Sequence, residues 1–331
     1  MSALRPLLRL LAGRPPSGAG LRIQPHGAAP PPPSELRVVA WNIHYGYGPC
    51  FDRGATQSAA EITANLRGIA ETLRDLRPDV VALQEVDLGG TRVRGIDQLA
   101  FLQGALGLPY AAFTLTWDVP WVPSPGTDPR RHWGRVRSGQ ATLSRFPLRD
   151  PRRHALPQPS GNGALYNRFY LHRAALQTTV DLGDSSLRVL NVHTEAFDRQ
   201  NCSDHAATLA RIVLAGGSTL PRTLLLGDFN SVPPEATLRH AFPDEPLTDM
   251  REDHVLDTLR RVPGLRELVE PAAYAAAEAD WFTFPAWEPN RRLDYLFYGA
   301  ALEAVEARVL RPTPAPSDHL PVFARLRLRE G

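Results

Sequence analysis

Residues 223–230 read Thr-Leu-Leu-Leu-Gly-Asp-Phe-Asn, a continuous apolar run that ends on Gly227-Asp228-Phe229-Asn230. An unbroken run, rather than an alternation of apolar and polar residues, is the pattern of a strand buried on both faces. Asp228 and Asn230 are two residues apart, so if the strand continues their side chains point to the same side. A carboxylate beside an amide, aimed one way from a strand end, suits an attacking water and a phosphoryl oxygen. Gly-Asp-Phe-Asn is also full of turn formers. The flanking Leu224-Leu225-Leu226 and Ser231-Val232-Pro233 shift the weight to a functional site.

Working outward, strands and helices alternate from residue 36 onward. Residues 36–42 read as a buried strand, followed by a loop through Gly46, Gly48 and Pro49. Ser58-Ala59-Ala60-Glu61 fits a capping box, and Ile62, Leu66, Ile69, Leu73 and Leu76 fall on one helical face before Pro78 stops the helix. Val80 to Leu83 form a second strand with Gln84-Glu85 at its exit, and 97–107 reads as a helix stopped by Gly107. The stretch 114–135, with Trp117, Trp121, Trp133 and four prolines, resists regular assignment and reads as a long loop. Further strands are expected at Ala141–Ser144, Arg173–Val180, Leu187–His193, Trp281–Phe284, Leu293–Tyr298 and Pro321–Leu328. Asp204 is the expected cap of a helix running to Gly216-Gly217.

This organisation gives one domain, 36–331, behind a Pro- and Arg-rich extension, 1–35, that reads as disordered. Residues 1–34 hold no acidic residue, so an organellar transit peptide is the alternative to a cytoplasmic chain with a plain tail. The net charge of +2 excludes a global polycation, although all 37 basic residues are arginines. Cys50 and Cys202 form neither a disulfide framework nor a metal-binding spacing, and whether they pair is left open, as is the oligomeric state. No apolar run approaches the length of a transmembrane segment.

Several polar residues share the placement of Asp228. Asn42 and Glu85 each follow an apolar strand, His193 ends another, and Asp294 and Asp318-His319 lie at or near strand-like runs. Buried carboxylates and imidazoles are costly unless paired or bound to metal, so such residues point to one assembled site. One Glu with an amide oxygen matches the sparse oxygen set that Mg²⁺ takes, with Asp87 read as a solvated neighbour of Glu85. His193 and His319 are the acid–base candidates, because only His titrates near neutral pH unperturbed. Asp294 is placed to orient the second nitrogen of His319.

In this order, the motifs around Asn42, Glu85, His193, Asp228-Phe229-Asn230, Asp294 and Ser317-Asp318-His319 resemble the endonuclease/exonuclease/phosphatase superfamily over roughly residues 36–328. The resemblance implies an α/β (α+β) four-layer sandwich, two mixed β-sheets packed face to face with helices outside, and a site at one end of the sheets. It also implies Mg²⁺ (or Mn²⁺) at Asn42, Glu85 and Asp318, and catalytic roles for His193, Asp228, Asn230, Asp294 and His319. It places a phosphate contact at Arg173, with Arg168 as a rival close by. The activity implied is a metal-dependent phosphoester hydrolase, a phosphodiesterase first. The alternatives are a DNA or RNA nuclease and, further off, an inactive binding module.

The partner expected is an anionic phosphoester, either a lipid head group or nucleic acid. Residues 128–153 hold eight arginines against two aspartates, which reads as an electrostatic funnel or a solvated basic face. Trp117 and Trp121 on a Pro-rich loop suggest peripheral membrane contact, with packing over the core as the alternative. Pro285-Ala286-Trp287 echoes an inositol 5-phosphatase signature, but Glu288-Pro289-Asn290 departs from it.

Overall fold

A computed structural model describes residues 16–25, 27–31, 33–49, 57–122 and 128–329. Among the described residues, thirteen strands form two sheets. The first comprises β1 (Ala19–Ile23), β2 (Glu35–Asn42), β3 (Val80–Gly90), β4 (Tyr110–Val122), β5 (Gly134–Ser144), β12 (Leu302–Val309) and β13 (Val322–Leu328), in the order β1-β4-β5-β3-β2-β13-β12. The second comprises β6 (Leu148–Ala155), β7 (Ala174–Asp181), β8 (Ser186–His193), β9 (Thr223–Asp228), β10 (Leu265–Glu267) and β11 (Asp294–Gly299), in the order β10-β11-β9-β8-β7-β6. Each sheet is mixed, with one parallel pair: β2 with β3, and β8 with β9.

The sheets pack face to face through alternate residues such as Val38, Ala40, Leu187, Val189, Leu224 and Leu226. The outer face of the first sheet is covered by α1 (Ala59–Leu76) and α2 (Gln98–Leu106), whose Ile62, Leu66, Leu73 and Leu99 meet Val39, Trp41, Val81 and Leu83. The outer face of the second is covered by a helix at Arg199–Leu214 and a short one at Val255–Arg260, through Leu209, Val213 and Leu256 against Leu190 and Leu225. In chain order these are α4 and α5; α3 (Ala164–Phe169) and α6 (Pro271–Ala276) lie in the connections. The result is the expected four-layer sandwich. It explains the unbroken apolar run at 223–226, because β9 has apolar neighbours on both faces.

Capping sets the helix ends. Ser58 and Glu61 form the expected capping box, and α1 ends at Arg77 in the left-handed region just before Pro78. For α4 the cap is Asp198, whose side chain accepts from the Asn201 N–H at 2.9 Å, and not Asp204. Asp204 lies within the helix and accepts from Gln200.

Three other expectations change. Residues 114–135 are largely the β4–β5 hairpin rather than a loop. Register shifts between Leu115 and Trp117 and between Val119 and Val122 break the alternation that would have revealed it, and Pro120 sits in the second of them. The 1–35 extension is not irregular throughout, since β1 extends the first sheet on β4 and Arg22 grips Asp97 through two bonds of 3.0 and 2.9 Å. Trp281–Phe284 is no strand: a 3₁₀ turn covers Glu278–Trp281, and Phe284 makes only an isolated bridge to Arg291. Cys50 lies outside the described residues, while Cys202 is buried beneath Thr194 and Phe229. Among the described residues no helix is long and apolar enough to cross a membrane.

Candidate active site

Both parallel pairs end at the same edge of the sandwich. β2 delivers Asn42 and β3 delivers Glu85 from one sheet; β8 delivers His193 and β9 delivers Asp228 from the other. Asp294 starts β11 directly opposite Asp228 in register. Asp318 and His319 arrive on the segment before β13, where Ser317 Oγ donates to the Asn42 carbonyl at 2.8 Å and Trp41 Nε1 donates to the His319 carbonyl at 2.8 Å.

The backbone is constrained where it presents these groups. His44, Tyr45, Glu85 and Asn230 all have positive φ, at 45°, 38°, 56° and 46°. Non-glycine residues avoid that region unless the surroundings over-determine it, and such positions cluster at functional sites. At Glu85 the cause is visible: the β3–β5 register slips between Leu83 and Val86, turning the Glu85 side chain out of the alternation. Gly227 has φ 139°, and a Cβ there would lie 2.1 Å from the Val192 carbonyl oxygen. Only glycine lets β9 approach β8 this closely one residue before Asp228.

Asp228 is the hub. Its Oδ2 accepts from Asn42 Nδ2 at 3.0 Å, lies 3.3 Å from His193 Nε2 and 3.7 Å from His319 Nε2, and its Oδ1 accepts the Asn230 N–H at 2.9 Å. His319 Nδ1 pairs with Asp294 Oδ2 at 2.8 Å, and Asp294 is itself anchored by its backbone N–H donating to Thr283 Oγ1 at 3.2 Å. Burial opposes charge on His319, but Asp294 and Asp228 override it and hold the imidazole up at about 10. Burial pushes the Asp228 carboxyl up, against the pull of His319. His193 goes the other way: burial, with Arg173 and His319 nearby, keeps it well below the ordinary imidazole range and therefore neutral. Two histidines at one carboxylate are thus held in opposite charge states.

Asn42 takes a different posture from the one its ligand role required. Its Oδ1 accepts the His44 N–H at 3.0 Å, while its Nδ2 faces Asp228 and, at 3.4 Å, Glu85 Oε1. It serves here as a donor that spaces two carboxylates. Asp318 Oδ2 lies 3.4 Å from His44 Nδ1, and burial raises the Asp318 carboxyl, with His44 lowering it and Glu85 among the groups raising it further. The Glu85 side chain is 26% exposed, the most open of the site carboxylates.

Two groupings therefore offer oxygen ligands to a cation. One is Glu85 with Asp318. The other is Asp228, Asp294 and His319, whose ligand atoms lie within 4.8 Å of one another. Asp294 Oδ1 is buried with no hydrogen-bond partner, which is costly for a carboxylate oxygen unless a cation or donor arrives. The donor set fits a hard divalent ion.

Asp87 is not the solvated neighbour expected. It is fully buried and holds Arg92 by two bonds of 3.0 and 2.7 Å. The Arg92 guanidinium stacks 3.8 Å from the Tyr45 ring and 5.1 Å from that of Trp133, building a rigid wall beside Glu85. Trp117 is half-buried in the same wall, its indole N–H donating to the Phe169 carbonyl at 2.9 Å, so packing and not membrane contact accounts for it. Trp121 is 43% exposed and lies beside His132. The basic stretch 128–153 divides between β5 and β6, which belong to different sheets. Arg135, Arg145 and Arg149 are paired with Asp118, Asp79 and Asp181, so no single funnel forms.

Arg173, the expected phosphate contact, is buried next to His193, and its Nε has no partner. Residues outside the expected set also join the site. Glu195 is buried two residues past His193, accepts from Tyr170 Oη at 2.6 Å, and leaves Oε2 without a partner. The signal for Glu195 was its place just beyond His193; for His44, its place two residues after Asn42. Neither stands out in one sequence.

A two-sheet sandwich with histidines and carboxylates meeting at one end of its parallel strand pairs defines a class of phosphoester hydrolases. Residues 39–319 match the family model described as Endonuclease/Exonuclease/phosphatase family, and the chain belongs to that family of metal-dependent phosphoester hydrolases. No curated protein matches the sequence significantly. Among solved structures, the chain is similar to an endonuclease/exonuclease/phosphatase from Beutenbergia cavernae, at 25% identity and TM-score 0.62, covering 89% of this chain and 72% of that one. The human Nocturnin catalytic domain with bound sulfate anion shares the fold at 20% identity and TM-score 0.58, over 94% and 97% of the two chains. TDP2 from C. elegans does so at 17% and 0.55, over 88% and 75%.

Proposed function

We propose that this protein is a Mg²⁺- or Mn²⁺-dependent phosphodiesterase that cleaves a P–O bond by in-line attack of water. The observation that carries the reading is the convergence of Asn42, His193 and His319 on one oxygen of Asp228, within 3.0, 3.3 and 3.7 Å. Asp228 holds and deprotonates the attacking water, with Asn42 and the Asn230 N–H fixing its carboxylate. His319, charged and oriented by Asp294, directs its Nε2–H at a phosphoryl oxygen. His193, neutral, faces the leaving oxygen, and Arg173 beside it contacts the phosphate. Glu85 and Asp318, with Asn42 between Glu85 and Asp228, would hold the cation, which when bound neutralises charge developing on the phosphoryl oxygens. Fixed donors of this kind each contribute on the order of 10²–10³ in rate.

A nuclease is the second reading, favoured by Arg130, Arg131 and Trp133, which precede β5 at the catalytic edge. The test is a panel of single- and double-stranded DNA, RNA, sphingomyelin, phosphoinositides and bis-p-nitrophenyl phosphate, each with Mg²⁺ and with EDTA. Hydrolysis of the model diester that appears with Mg²⁺ and vanishes with EDTA is expected, and activity indifferent to EDTA would sink the reading. Cleavage confined to DNA or RNA would decide for the nuclease. Glu85→Gln is expected to raise the Mg²⁺ concentration for half-maximal rate by on the order of tenfold, from loss of a charged ligand.

A further inference from the structure

A cavity lies away from this site, at the other end of the second sheet. Its volume is about 640 Å³, and it is walled by the outer faces of β6, β7 and β8 and by the C-terminal part of α4 with the turn that follows. Arg188 at its floor is five residues before His193 on β8, roughly 16 Å away at ~3.3 Å per residue. The two side chains also point to opposite faces of the sheet.

The lining has one sign of charge. Arg152, Arg188, Arg211 and Arg222 contribute to it, burial holds the His154 imidazole beside them below its ordinary range, and no carboxylate lines the cavity among the described residues. Arg188 is 8% exposed and is fastened only by neutral oxygens. Its Nε and Nη2 donate to Gln177 Oε1 at 3.1 and 2.9 Å, Nη2 also to the Ile212 carbonyl at 2.8 Å, and Nη1 to the Val213 carbonyl at 3.2 Å. Those carbonyls close α4, so part of the arrangement is a helix cap. The fit is tight: a Cβ at Gly216 would lie 2.2 Å from Arg188 Nη1. Gln177 Oε1 also takes His154 Nε2 at 3.0 Å, which makes it the shared acceptor of two basic side chains. Burial and neighbouring Arg152 both lower the Arg188 pKa, the response of a cation without a counterion.

A cap needs one arginine. The other three, Arg222 half-buried and Arg152 and Arg211 exposed, stand round this buried guanidinium with no acid in the lining, and an anion bound among them would supply the missing charge. We propose that this cavity is a second anion site, separate from the active site, which binds a small molecule carrying two or more clustered phosphates. A single phosphate would leave most of the guanidiniums unneutralised, and the volume lies within the range of small-ligand sites. A nucleoside triphosphate and an inositol polyphosphate both supply this chemistry.

The test is calorimetric titration and thermal unfolding of the full chain, without metal, against tripolyphosphate, ATP, inositol hexakisphosphate and oligonucleotides of increasing length. Orthophosphate and sulfate at matched ionic strength serve as references. Tripolyphosphate is expected to bind and to raise Tm in the wild type and in Asp228→Asn alike. Arg222→Ala is expected to weaken it on the order of tenfold and Arg152→Ala with Arg222→Ala on the order of a hundredfold, one charged contact being lost each time. These arginines make no contact with the active site, so both variants should hydrolyse the model diester as the wild type does. The tighter of ATP and inositol hexakisphosphate names the source. Four outcomes overturn the proposal: an equal response to sulfate, binding lost in Asp228→Asn alone, binding retained in the double variant, or affinity that instead grows with oligonucleotide length.

Discussion

At one end β8 and β9 finish in His193 and Asp228, where acids and imidazoles sit within hydrogen-bonding reach of one another and of Asn42. At the other end β8 carries Arg188, surrounded by further arginines and held by carbonyl and amide oxygens alone. The first set is internally matched: the charge on His319 is set by Asp294 and Asp228, and the neutrality of His193 by burial and Arg173. The second has nothing of opposite sign. The same sheet therefore shows two ways of holding charge in a folded chain. One is a closed hydrogen-bonded cluster ready for proton transfer. The other is an open set of like charges whose balance is left to a ligand.

The sharpest way to break this comparison is at the hub. Asp228→Asn removes the base that three neighbours address, and kcat on a model diester is expected to fall by about 10³ or more. His319→Ala should cost about 10²–10³. Full turnover in either variant would falsify the roles assigned, provided circular dichroism shows an unchanged fold. Asp294→Asn should cost less than His319→Ala, because it leaves the imidazole in place but removes the partner that keeps it charged and oriented.

A smaller effect concerns charge held neutral. His205 on α4 accepts the Glu195 N–H on Nδ1 at 3.1 Å and faces the Pro157 carbonyl through Nε2 at 2.7 Å, so only the neutral Nε2–H tautomer satisfies both. Burial brings its pKa down to about 4, against the Pro157 carbonyl, whose hydrogen bond raises it. A depressed histidine pKa means that the unfolded chain binds the extra proton first. Its stabilising contribution is present above about pH 6.5 and is lost as pH falls toward 4. At pH 5 the loss from this residue is about 2 kcal/mol, read as a drop in denaturant midpoint. His205→Gln should flatten that drop between pH 7 and 5; an unchanged slope would mean that His205 is not the group responsible.

The smallest effect concerns a helix cap. Ser58→Ala removes the side-chain half of the capping box on α1 and should cost about 1 kcal/mol, a Tm change of roughly 2 °C, with activity unchanged. A change in kcat there would mean that α1 is coupled to the site and that the two ends are not the independent units described.

How much was legible depended on what each element needs locally. The apolar run at 223–226, the face of α1 and the capping box each state their requirement within a few residues, and they fold as read. The β4–β5 hairpin did not, because its bulges shift the two-residue period and place Pro120 inside a strand. β6 and β12 were missed for a related reason. They are edge strands rich in charge, with one face in water and little apolar pattern to find. Asp87 looked exposed because nothing nearby in sequence pairs with it except Arg92, and the aromatic rings over that arginine come from Tyr45, Trp117 and Trp133.

The sequence by itself determined the layers of this protein and the identity of its polar strand ends, because hydrophobic period and residue type are local properties. Tertiary structure alone decided what those ends do to one another. Only when β2, β8 and β9 end, and β11 begins, at one edge do His193 and His319 meet the same carboxylate and take opposite charge states, since desolvation and neighbouring charge are set by what surrounds a group in space. The same holds at the far end, where arginines drawn from β6, β8, α4 and the turn before β9 become one cavity of a single sign.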